Sequence, residues 1–289
     1  MSTQITTAFV QQFTQGITQL SQQRMSRLRP AVRVETIGPG DRAYFDQLGA
    51  TSMAQVTDRH ADTPLTDTPH SRRMVTPVPY KHADLVDKAD QIRTLNDPTN
   101  AYVQAFAMAA GRAIDDAIIA AAFATARTGV AGASTETWAS LTSSWTINSG
   151  SAMNLGAIIT ANKKLREAEN DPQMGFYFAV SQEQFEDMLN DSTFTSADYN
   201  SIRTLMTGTI KQFMGFEWIG TERLDTDSSS YRRCIAFWKN ALLLAIAEEP
   251  QGRITERADK NYSTQVYYEM DIGATRMTSN GVVECLCSE

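Results

Sequence analysis

Asn96 to Thr128, "NDPTNAYVQAFAMAAGRAIDDAIIAAAFATART", is the stretch on which the fold turns. Asp97 is placed to cap a helix and Pro98 to occupy its first position, and the alanines that follow are the best helix formers. The pattern predicts one helix over 98–127, with Gly129 as its stop. Such a rod would be roughly 45 Å long, well beyond a typical helix of about 11–12 residues. Tyr102, Phe106, Ala110, Ala113, Ala117 and Ala121 line one face, with Val103, Ile114 and Ile118 beside them, and the small residues let other backbone approach closely. Arg112 is spaced to pair with Asp116 at i+4. The adjacent Asp115 and Asp116 suggest acid–base or metal chemistry, but neighbouring helix positions point about 100° apart, so solvated or salt-bridged charges are expected.

Upstream, "VRVETIGPGDRAYFDQLGA" (Val32–Ala50) places Gly38, Gly40 and Ala43 at the spacing of a dinucleotide-binding fingerprint. That fingerprint needs a helix starting near Gly40 on a parallel strand. Here six of the nine prolines (Pro30, Pro39, Pro64, Pro69, Pro77, Pro79) and all three histidines (His60, His70, His82) fall between residues 30 and 82. At most a short helix around Tyr44–Leu48 fits, and Pro77 and Pro79 confine "RRMVTPVPY" to an edge or an exposed ribbon. Pro39-Gly40 therefore reads as a turn. The segment is better described as a long excursion: a strand from Val32, a polar tip, and a return from Arg72 to Asp84. A loop of this length needs cover from outside the subunit. The histidines, with Asp58, Asp62 and Asp67, show no metal-ligand spacing and read as solvated loop residues.

The first 34 residues hold no carboxylate and four arginines, Arg24, Arg27, Arg29 and Arg33. Phe9, Phe13, Ile17 and Leu20 form one apolar stripe if the segment is helical. A mitochondrial presequence shares this composition, but its arginines are spread along the helix whereas these cluster at the end. The segment reads as an arm that folds onto a neighbouring surface.

Composition limits the alternatives. The 289 residues are 42% hydrophobic and 20% charged, enough for one large soluble domain or two. A net charge of −7 disfavours a protein that grips nucleic acid by counterion release. Cys234, Cys285 and Cys287 form no disulfide framework, as expected for synthesis in a reducing compartment, and a metal role for the last two is disfavoured. No run of about 18 apolar residues spans a membrane.

Beyond the long helix the pattern is mixed. Gly129–Ala152 reads as a loop or irregular hairpin, "NLGAIITANKKLREAEN" as a helix, "GFYFAVS" as a buried strand and "QEQFEDMLND" as a helix with Ser181 at its N-cap. "SADYNSIRTLMTG" reads as helical. "FEWIGTERL" and "RRCIAFWKNALLLAIAEE" read as strands separated by the turn "DTDSSS", and Gln265–Glu289 as antiparallel strands with Asn280-Gly281 as a hairpin turn. Helix and strand interleave without a βαβ repeat, so the fold class is α+β.

This order of basic arm, proline-rich excursion, long Ala-rich helix, mixed region and terminal strands resembles the major capsid proteins of tailed phages, the Hong Kong 97 type. "AMAAGRAIDDAIIAAAFATA" is similar to the spine helix of that family, "TGTIKQFMGFEWIGTERL" resembles its passage into the later A-domain strands, and "DIGATRMTSNGVVECLC" its closing P-domain strands. The resemblance implies an N-arm over 1–30, an E-loop over 31–84, a P-domain over 85–150 with spine helix 98–127 and over 247–289, and an A-domain over 151–246. It implies hexamers and pentamers that tile an icosahedral shell around double-stranded DNA, a virion protein assembled in the host bacterial cytoplasm, with scaffolding, portal or decoration proteins as further partners. DNA would be enclosed without sequence-specific binding, and no membrane, cofactor, metal or catalytic residue is expected.

Inter-subunit contacts are expected from Phe9, Phe13 and Ile17 of the arm and from Arg72 and Arg73 against carboxylates of adjacent subunits. Some members of the family cross-link through an E-loop lysine. Val32–Tyr80 carries no lysine and Lys81 is the first in the chain, so a shell without covalent links is expected. The rival within the fold is an encapsulin-like cargo shell, separable by particle contents. The rival from another class is a nucleotide-binding enzyme resting on Gly38-Pro39-Gly40, the Asp115-Asp116 pair and the loop histidines, none with two independent supports.

Overall fold

The structure, a computed structural model, describes residues 22–38, 40–55, 57–59, 62–63, 65–86, 99–190 and 212–289. Strands β1 (Arg33–Thr36), β2 (Ala43–Leu48), β3 (His70–Val75) and β4 (Val78–Val86) precede the long helix α1 (Thr99–Phe123). After it come β5 (Ala126–Thr128), β6 (Ser134–Glu136), the single turn α2 (Thr142–Trp145), β7 (Thr146–Ser151), α3 (Leu155–Glu167), β8 (Phe176–Val180) and α4 (Gln182–Asn190). The chain closes with β9 (Gln212–Phe213), β10 (Phe216–Gly220), β11 (Arg232–Trp238), β12 (Leu242–Arg257), β13 (Ser263–Arg276) and β14 (Val282–Cys287).

The strands make three sheets, ordered β1-β12-β13-β4, β7-β14-β11-β8-β10-β9 and β2-β3-β5-β6. Among the described residues the chain divides into two compact units. One holds 22–26, 79–86, 99–112 and 248–271; the other holds the described parts of 27–78, 113–247 and 272–289.

The second unit is built on the six-stranded sheet. "FYFAV" of β8 and "CIAF" of β11 are almost wholly buried, the near-continuous apolar run expected of strands covered on both faces. Phe178 stacks on Trp218 at 4.6 Å between ring centroids and meets Phe216 at 5.5 Å, so β8 and β10, parallel neighbours, share one aromatic layer. Helix α3 is capped by Asn154, whose side chain accepts the Ala157 N–H at 2.9 Å, and it buries Ala157, Ile158, Ala161 and Leu165. Ser181 precedes α4 as expected, and Gln184 reaches back to accept its N–H at 3.0 Å and its hydroxyl at 2.7 Å, the reciprocal half of a capping box. Cys234, Cys285 and Cys287 are buried in this sheet and form no disulfide.

The first unit carries the outer parts of β12 and β13, most of β4 and the start of α1. β4 is an edge strand of its sheet, which accommodates Pro79.

Four expectations need correction. Helix α1 ends at Phe123, four residues early, and is about 37 Å long by its 25 residues. The cause is that Ala126–Thr128 pairs with β3 and β6, so Gly129 (φ +88°) serves the β5–β6 turn instead of a helix stop. Tyr44–Leu48 is strand, because its alternating burial against β3 outweighs the short helical pattern. Asn280-Gly281 belongs to a single 3-10 turn after which the chain changes sheets, so β13 and β14 do not form a hairpin. Arg112 donates to Gln22 at 2.8 Å, and Asp116 pairs elsewhere. The expected helix over 196–208 and the expected cap at Asp97-Pro98 lie outside the described residues.

Candidate functional site: the root of the ribbon

β2 and β3 form a two-stranded antiparallel ribbon, in register from Ala43 opposite Val75 to Leu48 opposite His70. Its inner end is held on apolar and polar terms together. Val75 is buried with Leu243, Ala245 and Met277, and Phe45 and Ile37 pack against this cluster. On the next β3 positions, Arg73 opposes Thr128 and Met74 opposes Arg127, which joins the ribbon to the β5–β6 hairpin.

Arg73 is 8% exposed. Its Nε donates to the Met277 carbonyl at 2.8 Å, a carbonyl that also accepts Gln47 Nε2 at 3.1 Å. Its Nη2 stands 2.5 Å from Glu136 Oε2, while the Ser279 hydroxyl donates to Glu136 Oε1 at 2.5 Å. Arg73 Nη1 is buried without a hydrogen-bond partner.

A second arginine completes the root. Arg276, fully buried, donates through Nη1 to the carbonyls of Ala122 (2.8 Å) and Ala124 (3.0 Å), and through Nη2 to that of Glu136 (3.2 Å). It thereby satisfies orphan carbonyls where α1 ends, the place where the helix dipole favours a cation. Its guanidinium lies 5.1 Å from the Trp138 ring centroid, and Trp138 Nε1 donates to Glu284 at 2.8 Å. Glu284 also accepts the Thr146 hydroxyl at 2.7 Å and Arg233 Nε at 2.5 Å.

Burial pushes the Glu136 carboxyl up, but the Ser279 hydroxyl and the charges of Arg73 and Arg276 outweigh it and hold the group below the ordinary carboxylate value. Burial, with help from Arg73, lowers the Arg276 guanidinium, against the pull of Glu136.

Arg72, on the opposite face of β3, forks onto Asp46 (Nε–Oδ1 2.5 Å, Nη2–Oδ2 3.1 Å) and holds that carboxyl below its usual range. It borders a cleft of about 420 Å³ lined by Asp46, His70, Ser71, Thr128, Gly129 and Val130. Both arginines expected to meet a neighbour's carboxylates thus have one within their own subunit. Phe9, Phe13, Ile17 and Leu20 lie outside the described residues.

The enzyme candidates do not converge. Gly40 leads into a strand, not a helix. Asp115 binds backbone and Asp116 binds Arg223, so the two carboxylates serve different partners. His82 packs edge-on against Phe106 with centroids 4.2 Å apart. Among the described residues no group of three or more His, Cys, Asp or Glu could hold a metal ion, and no helix is long and apolar enough to cross a membrane.

Glu136 and Arg276 went unread in the sequence. The available signal was an arginine inside the alternating run "MDIGATRM", where a charge on a buried strand requires a dedicated acceptor set.

The end of α1 and the two-stranded ribbon thus meet at the β5–β6 hairpin and the Arg73–Glu136–Arg276 group. The sequence profile of the phage capsid protein family matches residues 5–289. The chain therefore belongs to that family and is a major capsid protein of the tailed-phage, Hong Kong 97 type. A search of curated protein sequences returns no match. Solved structures agree with the fold. The capsid of cyanophage P-SCSP1u superposes with a TM-score of 0.73 at 12% identity, covering 100% of this chain and 96% of that one. The cyanophage Pam1 capsid gives 0.73 at 16% identity over 100% and 98%, and the capsid of Ralstonia phage GP4 gives 0.73 at 11% over 96% and 94%.

Proposed function

We propose that this capsid protein builds hexamers and pentamers of an icosahedral shell enclosing double-stranded DNA, and that it works by assembly alone, with no catalytic step. In this reading 1–30 is the arm, 31–84 the E-loop, 85–150 with 247–289 the P-domain and 151–246 the A-domain. The observation that carries it is the asymmetry of the ribbon. Its root is fixed by Arg73, Glu136 and the Val75 cluster, while Leu48 (69% exposed) and, beyond it, Leu65 (97%) are uncovered among the described residues. Uncovered apolar side chains at the end of a braced arm are what an inter-subunit contact requires.

On this reading Arg73 braces the ribbon internally, whereas Arg72, with its side chain 37% exposed, remains at the surface beside the cleft for a neighbour's carboxylate. The arm stripe of Phe9, Phe13 and Ile17 supplies a second contact. Assembly takes place in the host bacterial cytoplasm, with scaffolding, portal or decoration proteins as further partners.

The test is Leu48→Asp combined with Leu65→Asp. The doubly substituted subunit should keep its melting temperature and fail to form shells. Shells at the wild-type yield would remove the ribbon from the assembly contacts.

A further inference from the structure

We infer that Asp115 is the positioning residue that pins the N-terminal segment to the body at Arg27–Leu28. Asp115 sits in the middle of α1 with 0% exposure. A carboxylate taken out of water inside a helix is costly unless its oxygens are hydrogen-bonded. Here they accept two consecutive main-chain amides: Arg27 N–H to Oδ2 and Leu28 N–H to Oδ1, each at 3.0 Å. Successive amides aimed at one anion form a nest, and each bond is charge-assisted. The contact reads the backbone, so it fixes a point on the chain irrespective of side chain.

Two neighbours close the arrangement. The Arg27 guanidinium donates to the Gly220 carbonyl at the end of β10, and Asp116 takes Arg223, just beyond the same strand, in a two-point pair. The two adjacent aspartates thus divide the work, one holding the arm root and the other the segment after β10. Directly after the anchor, Leu28, Ala31 and Val32 are buried and β1 pairs in parallel with β12 from Arg33 opposite Leu243. Before it, Arg24 and Met25 are exposed, Met25 at 77%. Upstream, the Gln22 side chain accepts from Arg112 at 2.8 Å and the Met25–Ser26 backbone lies against Gly111, so the Arg27–Leu28 anchor is one fixed point on a segment that stays on α1 back to Gln22.

For a shell subunit this matters because copies in hexamers and pentamers meet different neighbours. A segment whose backbone is pinned at Arg27–Leu28 keeps β1 and the body in register whichever neighbour the residues before it meet. This consequence rests on the shell reading; the anchor itself does not.

The experiment is residue-resolved hydrogen exchange on the full-length unassembled subunit, with limited trypsin digestion alongside. In the wild type the Arg27 and Leu28 amides should be protected, and trypsin should cut after Arg24 but not after Arg27. Asp115→Asn, whose amide presents only one acceptor oxygen, should lower protection at Arg27 and Leu28 by about tenfold and open the cut after Arg27, with Leu244 on β12 unchanged. Asp116→Asn should leave both amides protected. Unprotected Arg27 and Leu28 amides in the wild type would overturn the inference, and that measurement stands even where the Asn variant fails to fold. Equal losses at Leu244, or the same effect from Asp116→Asn, would also overturn it by making Asp115 a general stability residue. Because the exchange is read on free subunits, its result is independent of whether shells form. Where shells do form, those of Asp115→Asn should show a wider spread of diameters than wild type.

Discussion

Glu136 on β6 stands between two guanidiniums: Arg73 of β3 at 2.5 Å, and Arg276 of β13, which itself binds the Glu136 carbonyl at 3.2 Å. Ser279 is the fourth group of the set, donating to the carboxylate. Protonation of Glu136 would leave two positive side chains facing each other at the base of the ribbon. Because its folded value lies below the ordinary value of 4.5, the stabilisation is complete above about pH 4.5 and is lost as the pH falls through the lower folded value. Urea midpoints measured from pH 6 to pH 3 should drop steeply at the acid end in the wild type. Glu136→Gln should lose about 1–2 kcal/mol at pH 7 and show a flatter acid limb, the carboxylate being part-exposed. An identical acid limb in both proteins would remove Glu136 from the pH response.

Arg276→Met keeps the side-chain volume and apolar stem but not the donors. Replacing a buried charge by an apolar group is often neutral where both partners go, but here the acceptors are the carbonyls of Ala122, Ala124 and Glu136, which remain. Chemical denaturation should show a loss of about 2–4 kcal/mol. A change below 0.5 kcal/mol, within the usual scatter of surface substitutions, would mean that water satisfies the helix end.

Ala117 lies inside α1, between the buried Ile114 and Ile118. Proline there removes a helix hydrogen bond and clashes with the preceding turn, at about 3 kcal/mol or more. Ala117→Pro should yield insoluble or unfolded subunits by circular dichroism. Normal assembly of this variant would show that the helix is not the rigid element of the subunit.

Much of this was legible in the sequence because local chemistry and tertiary packing agreed. Ser181 and the apolar run of β8 announce themselves by cap chemistry and hydrophobic pattern. Of the ribbon, the return strand with its flanking prolines was legible, whereas Tyr44–Leu48 was not, because only its pairing with β3 makes it a strand. What escaped were long-range polar partnerships. Asp115 looks like any helix aspartate until Arg27 and Leu28 arrive from 88 and 87 residues away. Arg73 looks like a surface cation until Glu136 and Met277 enclose it. The end of α1 was misplaced for the same reason: propensity favours helix through Arg127, but pairing with β3, a distant segment, takes Ala126–Thr128 into a sheet.

Lys81, the first lysine, lies on β4, while the ribbon beyond it offers only arginines, whose guanidinium stays charged and is a poor nucleophile. Mature shells boiled in detergent and reductant should therefore run as a single band near 31.9 kDa. A ladder of multiples would contradict this and would make Lys81 the first residue to substitute.

The most direct test of the central claim is electron microscopy of the purified full-length protein at rising concentration, with the map carried to side-chain resolution. Closed icosahedral particles are expected in which each β2–β3 ribbon lies over a neighbouring subunit, with Leu48 covered and Arg73 still bound to Glu136 of its own chain. A folded protein that stays at 31.9 kDa under every assembly condition, or particles in which the ribbons contact no neighbour, would contradict it.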